Sequence, residues 1–253
     1  MKMSRACFVV AMALAALAAW QPILVAQVAP ELPPHVIDCS PAPFATNVDA
    51  DLAELSVTFD RPMVPDAGFM GIRFLGVSPM VRGATPVWDG TGTVCTIAIE
   101  LQDDVSYCMG LNTAKQRGKF MDTSGTPALS HAWVFSTGER GDADWPPHVT
   151  ECNPAFGAMD ADFRLREIEF TFSRPIAPGD FSCVLQRGAG EYPASQEAGE
   201  LRLSEDRMTG ILPVRLSPGT TYALEINDLS YCGWKDTLSR PVIPYGWCFR
   251  TAD

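Results

Sequence analysis

Any chemistry in this chain would have to come from three histidines, eight cysteines, six tryptophans and a scatter of loop carboxylates. His35 and His148 stand in one shared context, Pro-Pro-His-Val, which points to a structural role at the start of a folding unit. His131 stands alone, two residues before Trp133. No Gly-x-Ser-x-Gly nucleophile motif and no Gly-rich phosphate loop accompanies them. The chain is therefore expected not to be an enzyme, and no catalytic residue is assigned. Carboxylates recur at Asp49, Asp51, Asp160 and Asp162, and again at Glu139, Asp142 and Asp144. Such hard oxygen ligands could hold calcium, but their spacing fits no EF-hand loop. They read as solvated loop charge, and no metal or cofactor is expected. Among Trp88, Trp145, Trp234 and Trp247, packing is the default role of an indole. Trp234, in the loop after the Tyr222 strand, is the candidate for stacking against a ligand such as a sugar.

Composition sets the surroundings of these residues. Lys2 and Arg5 followed by an apolar run from Ala6 to Trp20 read as a secretory signal peptide over residues 1–26. The formal charge is −11, and losing the leader's two cations makes it more negative. That argues against nucleic acid or an anionic lipid surface as partner. No other stretch is apolar enough to span a bilayer, so no membrane span is expected after cleavage. The product should be secreted or periplasmic, or held at the cell surface. In an exported chain, cysteines suggest disulfides, and seven remain once Cys7 goes with the leader.

The elements that must position these groups come in two sets. The stretch Pro33 to Pro62 recurs without a gap as Pro146 to Pro175, with roughly half the positions identical. Such a repeat fixes the number of folding units. It divides the chain into a first domain at 33–138, a linker at 139–145 and a second domain at 146–253. Leu55, Val57 and Phe59 alternate with Ser56 and Thr58, and Ile168, Phe170 and Phe172 with Glu169 and Thr171. A period of two marks strands with one buried face. Gly68 to Val77 and Phe181 to Gln186 read as middle strands. Ile97, Ile99 and Leu101 match Leu212, Val214 and Leu216 as a further strand. Trp133 to Thr137 and Trp247 to Thr251 close each set. Between the last two, Leu101 to Tyr107 and Leu216 to Tyr222 share one spacing, and the second is written Leu-Ser-Pro-Gly-Thr-Thr-Tyr. A tyrosine just past such a turn is the tyrosine corner of immunoglobulin-like sandwiches. Tyr107 and Tyr222 are so assigned.

This order of motifs resembles the SbsA-type bacterial immunoglobulin-like domain, in two tandem copies. The resemblance runs from Pro-x-Val through Thr-Phe-x-x-Pro and Leu-x-Pro-Gly-Thr-x-Tyr to Trp-x-Phe-x-Thr. It implies an all-β fold of two tandem immunoglobulin-like Greek-key β-sandwiches, of a kind used as spacers or interaction modules in bacterial surface proteins. It supplies no catalytic residues. The first copy departs from it at Asp103-Asp104, where Pro-Gly is expected. In such a sandwich the third and sixth strands are neighbours and the first and last can run side by side. On that strand order Cys183 is expected to pair with Cys232 and Cys152 with Cys248. The pairing of Cys39, Cys95 and Cys108 stays open. The functional expectation is a non-enzymatic structural or protein-interaction module at the cell envelope, with glycan binding through loop tryptophans as the alternative.

Overall fold

The computed structural model describes residues 32–65, 70–71, 80–81, 85–113, 120–179, 181, 183–193, 199–228 and 231–253. The signal peptide and most of the middle strand read at Gly68 to Val77 lie outside the described residues. Among the described residues the elements are all strands. In the first repeat they are β1 (Val36–Ser40), β2 (Glu54–Phe59), β3 (Met70–Gly71), β4 (Met80–Val81), β5 (Val87–Trp88), β6 (Val94–Glu100), β7 (Ser106–Leu111) and β8 (His131–Ser136). In the second they are β9 (Val149–Asn153), β10 (Glu167–Phe172), β11 (Cys183–Leu185), β12 (Arg202–Leu203), β13 (Thr209–Pro213), β14 (Thr221–Ile226) and β15 (Tyr245–Arg250). The fold is all-β, built of antiparallel sheets packed as sandwiches.

Each repeat places β1-β2-β6, or β9-β10-β13, in one sheet. Short strands close the far edge: β4 and β5 both pair with β6, and β12 pairs with β13. The facing sheet holds β3-β7-β8 in the first repeat and β11-β14-β15 in the second. These two facing sheets are one, because β8 pairs with β15 in a six-stranded order β11-β14-β15-β8-β7-β3. The join is a single antiparallel pair, Tyr245 with His131.

The alternation in β2 and β10 buries Leu55, Val57 and Phe59, and Ile168, Phe170 and Phe172, in two separate cores. Tyr107, Met109 and Leu111 complete the first, and Tyr222, Leu224 and Ile226 the second. β7, β8, β14 and β15 are buried on their other face as well. A strand covered on both faces loses its polar alternate positions. Here Cys108, Val134, Ala223 and Cys248 stand at such positions, with Ser136 and Glu225 buried there as polar exceptions.

Candidate functional site

The second faces of those four strands meet at the junction between the repeats. Cys108 and Val134 of the first repeat form a cluster with Trp145, the last residue of the linker, and Ile243 of the second repeat. Ala223 and Cys248 of the second form a cluster with Leu129 of the first and with Leu32, just ahead of it. In the repeat alignment Cys108 corresponds to Ala223, Val134 to Cys248, Trp145 to Leu32 and Ile243 to Leu129. The contact is therefore reciprocal: each repeat offers the same patch and receives the same patch. That is the signature of a two-fold, isologous interface, here within one chain. His131 and Tyr245 are themselves equivalent positions, and they pair with each other, which places the pseudo-two-fold axis between them. Aromatic contacts follow suit, with the matched histidines each meeting a phenylalanine of the other repeat, the two phenylalanines one place apart in the alignment. The His35 ring stands 5.1 Å from Phe156, and His148 stands 4.4 Å from Phe44.

The linker is held from both sides. Arg140 reaches back to Asp104 at 2.9 Å and to Ser106 at 3.0 Å. From the second repeat, Arg174 and Arg240 donate to the carbonyls of Asp142 and Ala143 at 2.6 and 2.7 Å. Gly246 lets the repeats approach, since a Cβ there would run into the Ser130 carbonyl and Leu129. Its counterpart in the first repeat is Ala132.

A cavity of about 200 Å³ opens at this axis, lined by His35, Val36, Leu129 to Ala132, Phe156 and Pro244 to Gly246. Behind it, the Cys39 sulfur lies 3.5 Å from His131 Nε2. The equivalent thiol in the second repeat, Cys152, bonds the Tyr245 hydroxyl instead. Burial dominates the electrostatics of both pairs. It pushes the Cys39 thiol up to about 12, with help from Asp38, and draws His131 down to about 4, with His35 adding to the fall. Burial likewise lifts Cys152 to about 12 and raises Tyr245. The Cys39–His131 pair is thus a neutral thiol beside a neutral imidazole.

The cysteines differ from the expected bridges. All seven cysteines from Cys39 onward are free thiols, and both assigned pairings meet a geometric obstacle. Cys152 packs against the core of the second sandwich. Cys248 lies between the core residues Trp247 and Phe249, so period two turns it to the opposite face, into the junction cluster. Cys183 does sit on the strand next to β14, but opposite Ile226. Cys232 lies beyond that strand, its thiol donating to the Asp228 carbonyl at 2.8 Å. Cys39 and Cys108 enter the contacts above, and Cys95 is buried in the first core.

Trp234 differs too. It is 0 % exposed, stacked on Phe181 at 4.0 Å and edged by Phe170 at 5.2 Å. Its indole face is not available to a sugar. The cause is a residue that sequence reasoning passed over. Asn227, at φ 54°, donates to the carbonyls of Trp234 and Val242 at 2.9 and 3.0 Å and accepts from the Trp234 amide at 3.1 Å. Asn112, at φ 50°, does the same with Phe120 and Ala128. Each asparagine stands five residues after a corner tyrosine, which is the signal that could have revealed it.

At the corners, the Tyr107 hydroxyl accepts from the Gln102 amide at 2.6 Å and the Tyr222 hydroxyl from the Ser217 amide at 2.8 Å. Asp104 takes φ 54°, matching Gly219 at φ 59°. Aspartate tolerates this left-handed conformation better than most residues, so the turn keeps its shape without Pro-Gly. Among the described residues no three His, Cys, Asp or Glu side chains converge as a metal centre, and no helix is long and apolar enough to cross a membrane.

The site and sheets define a two-sandwich all-β chain closed on itself by a pseudo-two-fold junction. No protein-family model matches the chain, and no curated protein matches it. Among solved structures it is similar to the N-terminal part of the bacterial S-layer protein SbsC, at TM-score 0.30 and 11 % identity over 88 % of this chain and 45 % of that one. The S-layer protein rSbsC(31-844) gives TM-score 0.30 and 10 % identity over 88 % and 41 %. The titin domains z1z2 in complex with telethonin give TM-score 0.23 and 9 % identity over 87 % and 95 %. The chain thus spans less than half the length of the two S-layer chains. Overlaps this loose leave the fold to rest on the sheets themselves.

Proposed function

We propose that this chain is a non-enzymatic, exported unit of two SbsA-type immunoglobulin-like sandwiches that acts through protein contacts at the cell envelope. The observation that supports this reading is the reciprocal junction. Two sandwiches that bury equivalent apolar patches on each other, and whose linker is pinned to both, present a surface of fixed shape rather than two tethered beads. A fixed surface suits docking, since little ordering entropy remains to be lost on binding. Glycan stacking loses its candidate with the burial of Trp234, and no second reading is carried forward.

The test uses the full chain in cells that make it. A photo-crosslinking residue is placed at Ile37 or Leu238, both exposed apolar positions, and the cells are fractionated. Recovery in the exported or envelope fraction, with discrete protein adducts, is the expected result. Trp145→Ala should open the junction, at a cost of about 3 kcal/mol for a buried indole, and reduce the adducts without blocking export. Retention in the cytosol, or adducts unchanged when the junction opens, would overturn the proposal.

A further inference from the structure

We propose that Cys39 and His131 form a binding site for a soft monovalent metal ion, of which the cuprous ion is the type. The two donors come from opposite sheets, β1 and β8, and the sandwich itself sets their separation of 3.5 Å. Metal–sulfur and metal–nitrogen bonds of about 2.3 and about 2.0 Å span that gap with an angle at the metal of about 110°. A bent two-donor seat leaves one position or more open on the ion. The imidazole also lines the cavity of about 200 Å³ at the junction, whose wall carries His35 as well. That cavity provides a route inward and room for a third ligand.

Donor chemistry selects the ion. A thiolate with an imidazole suits soft cuprous copper, whereas magnesium and calcium take oxygen. A closed structural zinc site needs four protein ligands, and no such group converges among the described residues. Binding replaces a proton: the Cys39 S–H bond breaks, a sulfur–metal bond forms, and the proton leaves to solvent. His131 gives the lone pair of Nε2 while the ring proton sits on Nδ1. The metal keeps its oxidation state throughout, so no oxidant or reductant takes part.

The chain carries its own control. Cys152 in the second repeat occupies the place of Cys39, but the residue facing it is Tyr245, whose hydroxyl bonds the thiol. A phenol in place of an imidazole removes the nitrogen donor. The site therefore exists on one side of the pseudo-two-fold axis and not on the other.

The experiment titrates the full mature chain, without oxygen, with cuprous ion delivered from its bathocuproine complex, and follows histidine ring nitrogens by NMR. The wild type should hold one equivalent more than Cys39→Ser, with the His131 Nε2 resonance shifted. His131→Tyr, which copies the side chain that the second repeat uses, should weaken that equivalent at least about tenfold. Cys152→Ser should leave it unchanged. Tyr245→His, shown to be folded by an unchanged denaturation midpoint, should create a second such equivalent at Cys152. Equal uptake by wild type and Cys39→Ser, an unshifted His131 ring, or no added equivalent in a folded Tyr245→His chain would each overturn the site.

Discussion

The two repeats build the same sandwich and differ where they touch. Their cores use matched positions: Phe59 and Phe172, Trp133 and Trp247, and Tyr107 and Tyr222 are all buried at equivalent places. At the junction the matched positions diverge, with His131 against Tyr245, Ala132 against Gly246 and Trp145 against Leu32. A core position packs only against its own repeat, so both copies answer one constraint. A junction position packs against its counterpart's neighbours, so the copies can trade volume across the axis. Large Trp145 sits with Ile243 over Cys108 and Val134, while smaller Leu32, with the matched Leu129, is supplemented by Ala189 over Ala223 and Cys248. Close packing requires the sum to fill the space and not each side alone.

If the repeats are equivalent inside, the asparagine clamps should be equivalent, and theirs is the largest effect expected. Asn227→Ala strands the Val242 carbonyl and the Trp234 amide, and leaves the Trp234 carbonyl with the Val242 amide alone. At 1 to 3 kcal/mol for each buried unsatisfied group, partly relieved by water, the cost is about 3 to 5 kcal/mol. Asn112→Ala should match it. Denaturant midpoints of the two variants measure this, and a clamp that mattered in one repeat alone would break the equivalence.

The corners come next. Tyr222→Phe leaves the Ser217 amide without its acceptor and Tyr107→Phe does so for Gln102. Each should cost about 1 to 2 kcal/mol. Thermal melts of both would show whether the Asp104 turn holds its corner as firmly as the Gly219 turn. Midpoints unmoved in both variants would remove the structural role from the tyrosines.

What was legible in the sequence follows the same division. Strands and corners could be read because a buried face imposes period two, and the repeat shows the pattern twice. The junction could not be read that way, since period two treats the residues between core positions as solvent-facing. Cys108, Val134, Ala223 and Cys248 are nonetheless apolar, and that was the available sign of a second covered face. The expected Cys152–Cys248 pairing meets the same obstacle, because strand order says which strands are near but not which face a residue takes. Trp234 lies among turn residues and reads as loop. The Asn227 side chain folds that loop back across the end of the core, where Phe170, Phe172 and Phe181 pack on the indole. The Cys39–His131 contact joins residues 92 positions apart and depends on sheet packing that no local pattern states.

The smallest effect expected separates the two repeats by charge. Asp122 and Asp236 hold equivalent turns: Asp122 accepts from the amides of Ser124 and Thr126, and Asp236 from those of Leu238 and Arg240. Only the second adds a guanidinium from within its own turn, with Arg240 Nε at 2.8 Å from the Asp236 carboxylate. Burial pushes the Asp236 carboxyl up, but the amide and guanidinium of Arg240 and the amide of Leu238 outweigh it and hold the group below its ordinary value. A carboxyl depressed by folding binds fewer protons folded than unfolded, so its contribution is present above the unfolded value, near pH 4, and is lost as the pH falls through the folded one. Asp236→Asn keeps the turn's acceptor and removes the charge, and should cost about 1 kcal/mol at neutral pH. In urea titrations the wild type should lose that margin below about pH 4, and the two chains should converge there. A constant difference down to the acid limit would mean that turn geometry, not charge, sets the worth of Asp236. Because Arg240 also holds the Ala143 carbonyl at 2.7 Å, the charge-based outcome has a second consequence: linker protection from hydrogen exchange should fall in the same pH window.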